Sequence, residues 1–116
     1  MPTYILLSTL TPHGRKTLHA NPERLYGVNE EVERFGCKVF KQYALLGAHD
    51  FLTIIEAPDN ETVAHLCIDL GSRGTVDITT LPAIEIDALE VQLEGSRQLG
   101  PRPVVGRASG ETTPDR

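Results

Sequence analysis

The chain has 116 residues, with 11 basic and 16 acidic side chains, four histidines, two cysteines and no tryptophan, and its formal net charge is −5. A chain of this length buries enough surface to fold as one domain without a disulfide or a metal ion. Its uncharged apolar runs are much shorter than the ~20 residues that span a bilayer, which excludes a membrane helix. The negative charge argues against a nucleic-acid partner, because phosphate groups require a basic surface.

The first residues and the cysteine content indicate the compartment. The N-terminal sequence has neither the basic start nor the small-residue cleavage site of a secretory signal, and two cysteines are too few for a disulfide framework. We therefore expect a cytoplasmic protein whose thiols are reduced.

Composition divides the chain near Gly95. Residues 95–116 contain four glycines, three prolines and four arginines, and they show no helical or strand periodicity. The sequence therefore predicts a folded domain over residues 1–94 and a Gly/Pro/Arg-rich flexible tail over residues 95–116. An extended backbone around Pro101 and Pro103 would allow this tail to dock on a neighbouring subunit.

The beginning of the chain predicts a strand followed by two helices. Tyr4 to Leu10 is apolar and β-prone, and Thr11-Pro12 behind it is a helix start. Asn21-Pro22 repeats the start signal, so the first helix is short. The second helix ends at Gly36, and its apolar face consists of Leu25, Val28, Val32 and Phe35.

The middle of the chain predicts a hairpin and a third helix. Cys37 to Leu46 and Phe51 to Ala57 are β-prone runs joined by a short turn with a glycine, so they are expected to pair antiparallel. Asp59 can cap the next helix. Its apolar stripe is formed by Val63, Leu66, Cys67 and Leu70.

Thr75 to Leu81 alternates polar and apolar residues like a half-buried strand, and Ala83 to Leu93 suits a last short helix or an extended segment. The order β-α-β-β-α-β predicts an α+β, ferredoxin-like fold: a four-stranded antiparallel sheet with its helices on one face. The other face would carry apolar side chains of the first and third strands together with Thr79 and either Tyr43 or Gln42. An uncovered apolar face is rare on a monomer, so we expect it to meet a second copy.

Five blocks, in order along residues 2–90, carry a family resemblance: Pro2 to Leu7, Asn21 to Leu25, Gln42 to Gly47, Glu56 to Thr62 and Thr80 to Ile84. Through these blocks the chain resembles the GYD-domain family of small bacterial and archaeal proteins. The resemblance implies a ferredoxin-like chain of the dimeric α/β barrel group, which also contains small monooxygenases and isomerases. It implies no particular reaction. His49 stands where the Gly-x-Tyr-Asp motif of the family has its tyrosine, while Gly47 and Asp50 match.

The turn between the predicted central strands holds the candidate catalytic residues. Asp50 could orient His49 as a general base near neutral pH, or it could simply bind turn N–H groups beside a solvated His49. Tyr43, Gly47 and Glu56 are candidate ligand-binding residues. A Tyr43 ring packed on the sheet and a Glu56 at the solvated rim explain the same sequence without a ligand.

The spacing of the potential metal ligands predicts no metal site and no cofactor. His65 and Asp69 lie one helical turn apart, which supplies at most half a site and is more simply a surface hydrogen-bonded pair. Cys67 belongs to the apolar stripe, and Cys37 has no nearby histidine or second cysteine in sequence. Glycine-rich dinucleotide and phosphate-loop motifs are missing.

Three functional hypotheses remain open at this stage. The first is a homo-oligomeric module that encloses a small, mainly apolar or aromatic molecule between its sheet faces, at a pocket edged by Tyr43, His49, Asp50 and Glu56. The second is a cofactor-independent isomerase or monooxygenase of the same architecture, in which His49 and Asp50 act on the substrate. The third is a structural or regulatory subunit that docks on another protein through the tail.

Overall fold

A computed structural model of the chain describes residues 1–95. The elements, in chain order, are β1 (Thr3–Leu10), α1 (Pro12–Ala20), α2 (Arg24–Arg34), β2 (Lys38–Ala44), β3 (Phe51–Glu56), α3 (Asn60–Gly71), β4 (Val76–Ala83) and α4 (Ile86–Glu94). One compact unit comprises Met1–Ile84, and a second unit, which holds α4, begins at Glu85. Of the tail predicted over residues 95–116, all but Gly95 lies outside the described residues.

The four strands form one antiparallel sheet in the order β2-β3-β1-β4. Helices α1 and α2 connect β1 to β2, and α3 connects β3 to β4, so each helical connection joins strands that are not neighbours in the sheet. This arrangement confirms the predicted ferredoxin-like fold. The edge strand β4 accommodates Pro82, because a proline without an N–H is tolerated where one side of the strand is unpaired. The pairing of two such sheets into a barrel stays a prediction.

Side-chain caps begin two of the helices where the sequence predicts them. Thr11 Oγ1 accepts a hydrogen bond of 3.0 Å from Gly14 N at the start of α1. At the start of α3, the Asp59 carboxylate accepts one of 2.8 Å from Thr62 N. These bonds satisfy N–H groups that have no partner inside a helix.

The hydrophobic core lies between one face of the sheet and the helices. Ile55 of β3 and Leu66 of α3 are completely buried there, and Val32 of α2 is almost so. The predicted apolar stripe of α3 therefore faces the sheet. That of α2 does so from Val28 to Phe35, whereas Leu25 at its N-terminal end is exposed. The complete buried apolar set is Tyr4, Leu6, Val32, Cys37, Ile55, Ala57, Val63, Leu66 and Leu70.

An ion-pair cluster joins α2 to the end of α3. Arg73 forms an ion pair with Glu31 of α2 and lies 3.6 Å from the Asp69 carboxylate of α3. The hydrogen bond from Arg73 lowers the pKa of the Glu31 carboxyl. The expected surface pair between His65 and Asp69 is replaced by this cluster, since the His65 ring packs edge-on against Phe35 at 4.9 Å.

We call the sheet face opposite the core the open face. The buried residues of β1 and β3 all belong to the other face, and the side chains that alternate with them form rows across the strands. The two central rows run Lys41, Ile54, Ile5, Leu81 and Tyr43, Leu52, Leu7, Thr79. The outer rows contain Lys38, Glu56, Thr3 and Ala83 at one end of the sheet and Thr9 and Asp77 at the other.

Strand β2 contains a β-bulge that the sequence analysis did not predict. Val39 pairs with Ile55, whereas Lys41 pairs with the preceding residue of β3, Ile54. Phe40 is therefore an extra residue in β2, and it is half exposed.

The bulge decides which residues of β2 reach the open face. Strict alternation from Lys38 would put Gln42 on that face. Because one residue is inserted, Lys41 and Tyr43 lie on the open face instead, and Gln42 lies on the helix side. The choice between Tyr43 and Gln42, which the sequence left open, is thus made by the bulge.

Gly14 allows α1 to approach the sheet closely. It is buried, and a Cβ atom added there would lie 2.0 Å from the Thr75 carbonyl oxygen. The adjacent Thr11 N donates a hydrogen bond of 3.0 Å to the same oxygen. Any side chain at position 14 would push the start of α1 away from the segment that leads into β4.

We expect Gly14→Ala to lower the free energy of unfolding by about 2 kcal/mol, because the methyl group has no space against the Thr75 backbone. The matched control is Gly27→Ala in α2, where an added Cβ meets no atom within 4 Å. That change is expected to raise stability by up to about 1 kcal/mol, since alanine is the better helix former. Urea unfolding of both variants measures the difference, and equal effects would contradict the close approach of α1.

Candidate functional site

Asp50 binds the backbone at the end of the β2–β3 loop. Its carboxylate accepts a hydrogen bond of 2.7 Å from Leu10 N, and its own N–H donates one of 2.8 Å to the Ser8 carbonyl. Its carbonyl accepts a further bond of 2.8 Å from Leu45 N. These contacts hold the loop against the end of β1.

His49 contacts β1 rather than Asp50. His49 Nδ1 lies 3.3 Å from Thr9 Oγ1, and within residues 1–95 no hydrogen bond joins the His49 ring to the Asp50 carboxylate. The two predicted catalytic side chains are therefore close in the chain but engage separate partners. A base made of this pair would require the loop to rearrange.

The three predicted ligand-binding residues lie at separate places. Gly47 is exposed in the loop with a φ of +115°, a conformation that only glycine adopts easily. Tyr43 and Glu56 share the open face, but the partner of Tyr43 on β3 is Leu52, four residues before Glu56. At about 3.3 Å per residue, this separates the two side chains by about 13 Å along the sheet.

Tyr43 belongs to a cationic, aromatic edge of the open face. Its side chain is 48% exposed, and Lys41 Nζ lies 5.8 Å from the centre of its ring. Lys38 Nζ is similarly placed 5.2 Å from the ring of Phe40. The β2 side of the open face therefore presents two lysines stacked on two aromatic rings.

Neither cysteine is arranged as a reactive nucleophile. Cys37 is buried in the core, and this burial raises the pKa of its thiol, so the neutral form is favoured. Cys67 lies 3.1 Å from Thr80 Oγ1, on the side of α3 that packs against the sheet. Among residues 1–95, no group of three or more His, Cys, Asp or Glu side chains is placed to hold a metal ion.

A cavity that the sequence analysis missed lies on the opposite side of the sheet from the open face. Its volume is about 130 Å³, and it is bounded by the sheet and by residues of α1 and α2. Ser8 and Thr53 contribute to its floor, and Leu18 and Leu25 to its walls. No sequence motif could have revealed it, because its lining is drawn from all three helices and all four strands of Met1–Ile84.

The family model described as GYD domain matches residues 4–91, which span all four strands and the three helices between them. This chain belongs to the GYD domain family. The match confirms the resemblance carried by the five sequence blocks. The matched range also includes Gly47, His49 and Asp50.

A curated relative gives a second comparison. The chain is 50% identical over 95 residues to the "Glutamine synthetase and cystathionine beta-lyase binding protein" of Thermus thermophilus. The alignment covers 81% of this chain and 100% of the relative. Within the described part of this GYD-domain protein, no helix is both long and apolar enough to cross a membrane.

We expect Asp50→Ala to lower the free energy of unfolding by about 1–2 kcal/mol, because Leu10 N would lose a charged acceptor. His49→Ala, the neighbouring control, is expected to change it by less than about 0.5 kcal/mol, since His49 makes one long contact at a surface loop. Urea denaturation followed by circular dichroism compares the two variants. Unchanged stability of Asp50→Ala would show that the carboxylate is free for another role.

Proposed function

We propose that this GYD-domain protein is a homo-oligomeric protein-binding module that associates with a second copy through its open face. The observation that carries the proposal is the aliphatic centre of that face. Within Met1–Ile84 the buried core lies on the other side of the sheet. Five neighbouring side chains in the two central rows of the open face are aliphatic: Ile5, Leu7, Leu52, Ile54 and Leu81. A patch of this kind with a charged rim is typical of protein contact surfaces.

The charges at the corners of the open face favour a second copy as the occupant. Lys38 lies at one corner of the grid, and Asp77 lies at the diagonally opposite corner. Two copies can stack their open faces about a two-fold axis that lies in the plane of the interface and is perpendicular to this diagonal. In that arrangement Lys38 of each copy lies opposite Asp77 of the other. The same surface is thus self-complementary, as an isologous dimer requires.

The name of the relative supports an enzyme as the further partner. That protein is described as binding glutamine synthetase and cystathionine beta-lyase, and half of its residues are identical in this chain. We propose the same partners here, namely glutamine synthetase and cystathionine beta-lyase. The cytoplasmic location expected from the sequence stays a prediction.

The small-molecule part of the first hypothesis stays a prediction. Stacking two open faces would bring Tyr43 and Glu56 to the rim of a shared interface, where a small apolar molecule could be enclosed. Native mass spectrometry of the purified protein reads the subunit count and any retained molecule together. The hypothesis that the tail docks on another protein concerns residues outside the described part of the chain.

Leu7→Lys tests the proposed dimer. Size-exclusion chromatography with light scattering at micromolar concentration is expected to give a dimer or larger assembly for the wild type and a monomer for the variant, because a buried lysine without a partner is costly. Ile68→Lys is the matched control: Ile68 is 72% exposed on α3, and the change should leave the assembly intact. A monomeric wild type, or a dimeric Leu7→Lys variant, would contradict the proposal.

The corner charges provide a second control for the same experiment. Lys38→Asp should weaken the dimer by at least about fivefold, since it replaces both symmetry-related rim ion pairs by facing carboxylates, and adding Asp77→Lys should restore it. For the enzyme partner, titration of purified glutamine synthetase and cystathionine β-lyase from the source organism is expected to give saturable binding to the wild type. If neither enzyme binds at micromolar concentration, the proposed enzyme partner is wrong.

A further inference from the structure

The cavity between the sheet and helices α1 and α2 has the size of a small ligand. Its volume is about 130 Å³, and an engineered apolar cavity of about 150 Å³ in another protein binds benzene. The available space therefore suits a six-membered ring or a branched chain of similar bulk. It is well below the roughly 300–1,000 Å³ of pockets that hold drug-sized molecules or cofactors.

Polar side chains without protein partners line the sheet side of this cavity. Ser8, Gln42 and Thr53 come from three different strands, and within residues 1–95 none of their side chains forms a hydrogen bond to another protein group. Thr53 is also the buried polar residue of the described core. Gln42 is exposed, Ser8 is half-buried and Thr53 is buried. Their donor and acceptor atoms border the cavity and are available to a ligand that carries oxygen atoms.

Arg24 supplies a positive charge at the mouth. It lines the cavity from the first turn of α2 and is exposed to solvent, while Thr53 at the floor is buried. Glu31, the acidic residue whose pKa Arg24 also influences, is paired with Arg73. Among the described residues Arg24 itself forms no ion pair, so its guanidinium is available for a carboxylate.

The apolar walls complete the recognition surface. Leu18 of α1, Leu25 and Val28 of α2 and Leu70 of α3 surround the space between the mouth and the floor. A molecule that places a compact apolar body among these side chains would leave its acidic group beside Arg24.

We propose that this cavity is a binding site for a small carboxylic acid whose apolar body is about the size of a six-membered ring. Arg24 binds the carboxylate, and the floor of Ser8 and Thr53 takes polar atoms of the ligand. The site lies on the other side of the sheet from the open face, so it is independent of the proposed dimer and goes beyond the proposed function. Walls from α1 and α2 mean that an occupied cavity would hold both helices against the sheet.

Benzoate and benzyl alcohol are the probes, because they share a ring and differ in charge. We expect saturable binding of benzoate to the full chain by isothermal titration, together with a rise in the melting temperature through preferential binding to the folded state. Benzyl alcohol should bind at least tenfold more weakly. Arg24→Gln should reduce benzoate affinity about tenfold and leave benzyl alcohol unchanged, which is the loss expected for one charge-assisted contact.

Two further variants locate the site. Val28→Phe should abolish binding of both probes by filling the cavity. If the Val28→Phe variant does not fold, Thr17→Leu, which narrows the cavity from α1, serves as the cavity-filling variant instead. Arg15→Gln is the charge control on α1, outside the cavity lining, and should bind benzoate like the wild type.

Failure of benzoate to bind the wild type would overturn the site. Equal affinity for the two probes, or an Arg24→Gln variant that retains wild-type affinity, would overturn the assignment of the carboxylate to Arg24. Binding that survives cavity filling would place the site elsewhere. Light scattering on the same samples reports the oligomeric state separately, so failure of the dimer and failure of this site are distinguishable.

Discussion

Strand β1 hydrogen-bonds to β3 on one side and to β4 on the other, and both faces of the sheet depend on the register of these two pairings. With Ile5 opposite Ile54 and Leu81, the side chains of Tyr4 and Leu6 face the helices and those of Ile5 and Leu7 face away. A shift of one residue would exchange the two sets. Because β1 is apolar on both faces, covering one face with helices leaves a second apolar surface on the other side of the sheet.

The elements themselves follow from local sequence. Thr11 and Asp59 start helices in the structure through the side-chain bonds expected of them. The periodicity of α2 and α3 places their apolar stripes on the core, except for Leu25 at the start of α2. These signals act within a few residues of each other, which is why a single sequence reveals them. The family membership rests on the same kind of short blocks and spans residues 4–91.

The bulge at Phe40 could not be predicted in this way. β-prone residues fill β2 on both sides of it, and nothing in that run marks one residue as extra. Its position depends on how β2 fits against Ile54 and Ile55 of a strand beyond the turn. Which of Tyr43 and Gln42 lies on the open face therefore depends on the pairing of β2 with β3. The alternation of side chains between the two faces, in contrast, is a property of any strand and can be predicted from the sequence.

The candidate sites illustrate the same division. Asp50 and His49 attract interest because they are adjacent in sequence, yet the structure gives them separate partners, Leu10 N and the Thr9 hydroxyl. The cavity beside Arg24 collects residues from all four strands and three helices, none of which is distinctive alone. Sequence reasoning finds groups that are close along the chain, and this cavity is assembled by folding.

The two edges of the sheet bear on aggregation. Strand-by-strand growth into a fibril requires an uninterrupted row of free N–H and C=O groups along an edge. On one edge the bulge at Phe40 breaks that row beside two lysines, and on the other Pro82 removes an N–H. The apolar open face therefore lies between two sheet edges at which strand-by-strand addition is obstructed.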